Sequence, residues 1–118
     1  MAATVSTESL ADYRWLVSPA AEPYLAAAAA EPDPFARAAR LRTDLSADRA
    51  RLVAEQVALR QRGIKKFTAA GQMFFTSVAL EQATDGWTAA YKAQRFGAGR
   101  VIDFCCGIGG DLMALVAR

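Results

Sequence analysis

The chain has 118 residues, 53% of them hydrophobic and 22% charged, which fits one domain with a modest core and excludes a composition that is disordered as a whole. It has no histidine, which removes the commonest general base and the commonest metal ligand. The formal charge of +2 is unevenly laid out: residues 1–34 hold five acids and one base, residues 35–67 nine bases and three acids, and the remainder balances.

The two cysteines are neighbours, Cys105 and Cys106, so there is neither a metal-type C-x-x-C nor a disulfide framework. Reduced thiols fit a cytoplasmic protein. The N-terminus lacks the basic start and long apolar core of a signal peptide. The apolar run at residues 25–30 is far short of the ~20 residues that a spanning helix needs. The expectation is therefore a cytoplasmic chain with no membrane partner and no metal.

Most of the chain reads as helix. Ser6 or Thr7 can cap a first helix that carries Leu10, Tyr13, Leu16 and Val17 at spacings of three and four. Ser18-Pro19 resembles a cap followed by proline in the first turn, unless Pro23 delays the start of the second helix through Tyr24 and the alanine run. Asp33-Pro34 repeats that signal and opens a third helix through Leu41. Ser46 caps the longest helix, at about 47–61, where Leu52, Val53, Val57 and Leu59 share one broad face. Gly63 is a plausible stop.

Thr76 is a candidate cap for a short helix through Val78, Leu80 and Ala83. Asp85-Gly86 is a turn signal. A helix over about 87–96 is expected to turn Trp87, Ala90 and Tyr91 inward. Phe74, Phe75, Trp87, Tyr91 and Phe96 could stack a base, but such residues are more often core and are read so here. Gly97-Ala98-Gly99 is a linker. Residues 100–105 then read as a strand apolar enough to be buried on both faces. A helix from about Asp111 would pack Leu112, Leu115 and Val116 back on it.

That last stretch, Val101-Ile102-Asp103-Phe104-Cys105-Cys106-Gly107-Ile108-Gly109-Gly110-Asp111, points to a chemistry. A strand ending in an acid, a glycine turn and a helix N-terminus can hold a nucleoside, because glycines admit close approach and the helix offers free N–H groups. The dinucleotide fingerprint fails, since Leu112 stands at its third glycine, and no Gly-Lys-Ser/Thr follows for a phosphate loop. The pattern Asp-x-x-Cys-Gly-x-Gly-Gly-Asp resembles the first motif of class I S-adenosylmethionine-dependent methyltransferases. The resemblance implies that Asp103, Cys105, Gly107 and Gly109 line the cofactor S-adenosyl-L-methionine. Cysteine at 105, where the family usually has glycine, is similar to trimethylguanosine synthases and related RNA-guanine methyltransferases. Lys66-Phe67, Phe74-Phe75-Thr76, Leu80-Glu81-Gln82-Ala83-Thr84 and Arg95-Phe96 occur in an order similar to bacterial methyltransferases with a C-terminal THUMP-like domain.

The resulting expectation is a mainly α chain. Residues 1–97 form a helical N-terminal domain, and residues 98–118 the first strand and first helix of a truncated, Rossmann-like methyltransferase domain. The resemblance implies an RNA substrate. The ribose-binding acid of a next strand and an Asn/Asp-Pro-Pro-aromatic motif are not in these residues, so the chain alone is expected to be inactive, and its unpaired strand to favour self-association. The basic cluster Arg60, Arg62, Lys65 and Lys66 could follow an RNA backbone, or it could be a solvated helix face. The competing reading is a non-enzymatic helical module that could bind RNA, with an incidental glycine turn.

Overall fold

The structure is a computed structural model that describes residues 7–118, with side chains from Leu10 onward. The Ser6 cap lies outside the described residues. The chain divides into two compact units, Met1–Ala58 and Leu59–Arg118, with the division inside a long helix. Both units are helical, and no strand is formed among the described residues.

The first unit contains α1 (Thr7–Leu16), a 3-10 turn (Pro19–Ala21), α2 (Glu22–Ala30), α3 (Pro34–Asp44) and the start of α4 (Ala47–Gly63). Ser18 does not cap its helix. Its hydroxyl donates back to Trp15 O at 2.6 Å, Pro19 opens the 3-10 turn, and α2 begins only at Glu22. Asp33 does cap α3, accepting from Phe35 N at 3.4 Å and Ala36 N at 3.0 Å. Ser46 Oγ accepts from Arg49 N at the start of α4.

Leu16, Leu25, Ala28, Leu41, Leu52, Val53 and Val57 make the core of this unit. Of the apolar positions expected on α1, only Leu16 is buried; Leu10, Tyr13 and Val17 are exposed. The helix instead turns Trp15 toward the core, where Arg49 lies over the indole at 4.6 Å and pairs with Asp12 at 2.8 Å. Arg37 is buried, only 6% exposed, and donates through Nε and Nη2 to Glu31 O at 3.1 and 2.7 Å. It thereby satisfies a carbonyl left open where α2 ends.

The second unit holds the end of α4, a 3-10 turn (Ala70–Gln72), α5 (Ser77–Gln82), α6 (Gly86–Ala93) and α7 (Gly110–Ala117). Its core is Leu59, Phe67, Ala70, Phe75 and Leu80, with Phe67 and Phe75 stacked at 6.0 Å between centroids. Gly63 is pressed on this core: a Cβ there would stand 3.0 Å from the Phe75 ring. All four residues expected on the apolar face of α4 are buried, Leu59 in this core and the others in the first.

The helix over 86–93 faces the other way from that expected, burying Ala89 and Ala93 and leaving Trp87 91% and Tyr91 62% exposed. α6 packs with α7, and a face of small residues one turn apart lets two helices approach closely. Residues 100–105 form no strand: 100–103 have no regular structure and 104–105 turn. A ladder needs a partner edge, and none of the other described residues is extended into one. Ile102 and Phe104 consequently stand out in solvent, 74% and 91% exposed. Leu115 is half-buried beside this segment, whereas Leu112 and Val116 are exposed.

Arg37→Leu should lower stability by about 2 kcal/mol, since it removes a charged hydrogen bond from a part-buried carbonyl. Phe35→Ala, next to it but 87% exposed, should stay within about 0.5 kcal/mol. Urea unfolding followed by far-UV circular dichroism checks both.

Candidate cofactor loop and its seat

The loop before α7 is built from local bonds. Asp103 Oδ1 accepts from Cys105 N at 3.2 Å, an Asx turn that starts the reversal. Gly109 N donates to Cys106 O at 2.8 Å and closes it. Gly107 and Gly109 have φ of +54° and +85°, the left-handed region that a side chain makes costly. Gly109 is the N-cap of α7, and its carbonyl accepts from Met113 N at 2.8 Å. The first N–H groups of α7 thus follow directly on the glycine turn.

What seats the loop comes from far away in the chain. Gly110 lies against the backbone of Thr84, where a Cβ would stand 2.7 Å from Thr84 O. In the first turn of α7, Asp111 Oδ2 accepts from Thr84 Oγ1 at 3.1 Å and from Lys92 Nζ at 3.0 Å. Lys92 Nζ also donates to Thr84 Oγ1 at 3.3 Å. It lies 2.9 Å from Asp111 Oδ1 as an ion pair, although that oxygen, hidden from solvent, takes no aligned hydrogen bond. An acid in a first helical turn is also favoured by the helix dipole.

Thr84 is itself fixed. Lys66 Nζ donates to Leu80 O, Glu81 O and Ala83 O at 2.8, 2.9 and 2.8 Å, closing the C-terminal end of α5. Lys66 O accepts from Gly86 N at 3.0 Å. Asp85 caps α6, accepting from Thr88 N and Thr88 Oγ1, each at 2.9 Å. Its pKa is lowered, first by the Thr88 backbone bond and then by the Thr88 hydroxyl.

Of the residues expected to line a cofactor, Asp103 borders a hollow of about 230 Å³ that Lys92, Phe96 and Asp111 also line. Cys105 and Gly107 are exposed, and Gly109 is half-buried. Both cysteines are free thiols. Among the described residues no cluster of His, Cys, Asp and Glu could hold a metal, and no helix is long and apolar enough to cross a membrane.

The four basic candidates separate. Lys66 has its three donors on carbonyls. Arg60 Nε donates to Met73 O at 2.8 Å, and its guanidinium lies 4.8 Å from the Phe74 ring centre. Arg62 is exposed and pairs loosely with Glu81 at 3.5 Å. Lys65 is exposed; its backbone N donates to Arg62 O at 3.4 Å, and its ammonium has no partner among the described residues. Thr76 caps α5, accepting from Ala79 N at 3.2 Å.

The cluster of Thr84, Lys92 and Asp111 escaped the sequence reading. Its available signal was an acid directly after Gly109-Gly110, at a helix start where a carboxylate is favoured. Comparison with protein-family models, curated proteins and solved structures finds no match to the chain.

Gly110→Ala should lower stability by about 1–3 kcal/mol, because the obstructing atom is backbone and cannot rotate away. Gly97→Ala, with nothing within 4 Å of its Cβ position and no positive φ, should be neutral or stabilising by up to about 1 kcal/mol. Denaturant midpoints of the two variants check the contrast.

Proposed function

We propose that this chain carries the S-adenosylmethionine loop of a class I methyltransferase, of the kind with a helical N-terminal region and a THUMP-like domain. The observation that carries the reading is the pair of left-handed glycines leading into α7, with Asp103 at the head of the turn. Open space supports the fit: nothing lies within 4 Å of where a Cβ on Gly107 would stand. A ligand can therefore approach that backbone closely.

In this reading Asp103, Cys105, Gly107 and Gly109 border the cofactor. S-adenosylmethionine supplies an electrophilic methyl group on a sulfonium centre. Asp103 offers negative charge to the cationic end of the ligand, and the glycines let the backbone line its body. Methyl transfer depends mainly on holding nucleophile and methyl group in line. The loop contributes one wall of such a site, and the reading requires a ribose-binding acid and a substrate-positioning motif besides.

The substrate we propose is RNA, with guanine nitrogen as the acceptor, on the likeness of the Cys-Gly-x-Gly-Gly run to RNA-guanine methyltransferases. The Rossmann-like character of residues 98–118 and a cytoplasmic location belong to the same proposal. The exposed Ile102 and Phe104 support self-association of the chain on its own. A non-enzymatic, RNA-binding helical module is the second reading, favoured by the wholly helical regular structure of the described residues.

Calorimetric titration of S-adenosylmethionine into the product of the whole reading frame tests the first reading. Binding in the micromolar range, weakened at least about ten-fold by Asp103→Ala, a loss of about 1.4 kcal/mol, is the expected result. Absence of binding, or equal binding by the variant, would refute it.

A further inference from the structure

We propose that the groove beside Trp87 binds an unpaired base of single-stranded RNA, with Lys65 on a neighbouring phosphate. This rests on the RNA part of the proposed function and not on its cofactor part. The groove has a volume of about 510 Å³ and is lined mainly by apolar atoms of Phe67, Met73, Ala90 and Met113, with Trp87 and Lys65 also on its wall. That volume lies within the range of about 300–1,000 Å³ typical of ligand sites.

Three observations select the occupant. First, the indole of Trp87 is 91% exposed in the first turn of a helix whose opposite face is buried. Its flat face is a stacking platform for any base. Second, the lining residues include two lysines and no acid. Lys66 is committed to the carbonyls of α5, so Lys65 is the ammonium available to an anion. Third, residues 59–118 hold eight bases and four acids. An aromatic platform, a free ammonium and a unit of net positive charge are complementary to a base and its phosphate. A duplex hides the faces of its bases, so the ligand is single-stranded.

The inference moves the RNA contact away from the run Arg60, Arg62, Lys65 and Lys66 as a block. Only Lys65 of that run borders the groove without an internal partner. Tyr91, one helical turn from Trp87 and 62% exposed, carries Arg95 at 5.5 Å from its ring centre, which extends the aromatic and cationic surface along α6.

The test uses the whole chain with Trp15→Phe, so that Trp87 is the one indole emitter. A short single-stranded RNA of mixed sequence is titrated in, with the duplex of the same sequence as comparison. Single-stranded RNA should quench the emission, and binding should fall steeply between about 0.05 and 0.2 M salt. By RNA gel shift, Trp87→Ala should bind about ten-fold or more weakly, with Trp87→Phe in between. Lys65→Gln should weaken binding and flatten its salt dependence. Trp87 is so exposed that its loss should leave the circular dichroism unchanged.

Unquenched emission, equal binding of the duplex, or full affinity in Trp87→Ala would overturn the inference. Should RNA binding depend on Trp87 while the whole-frame product binds no S-adenosylmethionine, the methyltransferase reading fails and the groove stands. Should Asp103→Ala abolish cofactor binding while Trp87→Ala leaves RNA binding untouched, the groove fails and that reading stands.

Discussion

One ammonium group organises the second unit. Lys66 reaches three carbonyl oxygens at the end of α5, within 2.9 Å of each. Helix ends leave carbonyls without partners, and an ammonium has three donors and no acceptor, so the match is complete. A helix of six residues has little stability of its own. With its last carbonyls bound, residues 80–84 become a fixed ledge, and Thr84 on that ledge receives Gly110 and Asp111. The geometry of the glycine loop, 27 residues further on, therefore depends on a lysine before the ledge.

The first unit applies the same physics with a different side chain. Arg37, buried, closes the end of α2 through a forked contact to one carbonyl, a geometry suited to a planar guanidinium. This changes the meaning of the basic middle of the chain. Arg37, Arg49, Arg60 and Lys66 are held by internal partners: carbonyls, a carboxylate and aromatic rings. A run of nine bases is thus not one electrostatic face. The cation left without a partner in the Lys65-Lys66 pair stands over an apolar groove, which is where charge and aromatic surface combine.

Local chemistry was legible in the sequence. Asp33, Ser46 and Thr76 cap the helices that follow them, because a cap needs only its own side chain and the next two or three N–H groups. The turn glycines were legible for the same reason. The apolar face of α4 was legible from its period. Choices that depend on distant partners were not. A helix over 86–93 can bury either face, and the preference for Ala89 and Ala93 over Trp87 and Tyr91 comes from its packing with α7. The apolar run at 101–105 has the composition of a strand, yet strand structure exists only against another edge. Lys66 read as part of a basic cluster because carbonyl partners leave no trace in residue types.

The central claim is that the glycine loop is seated through the ledge that Lys66 fixes. Backbone amide hydrogen exchange in Lys66→Met, compared with the parent chain, tests it most directly. The account predicts faster exchange both at residues 80–84 and at residues 109–113, while the amides of α2 and α3 keep their protection. Faster exchange confined to residues 80–84, with the start of α7 unchanged, would contradict it.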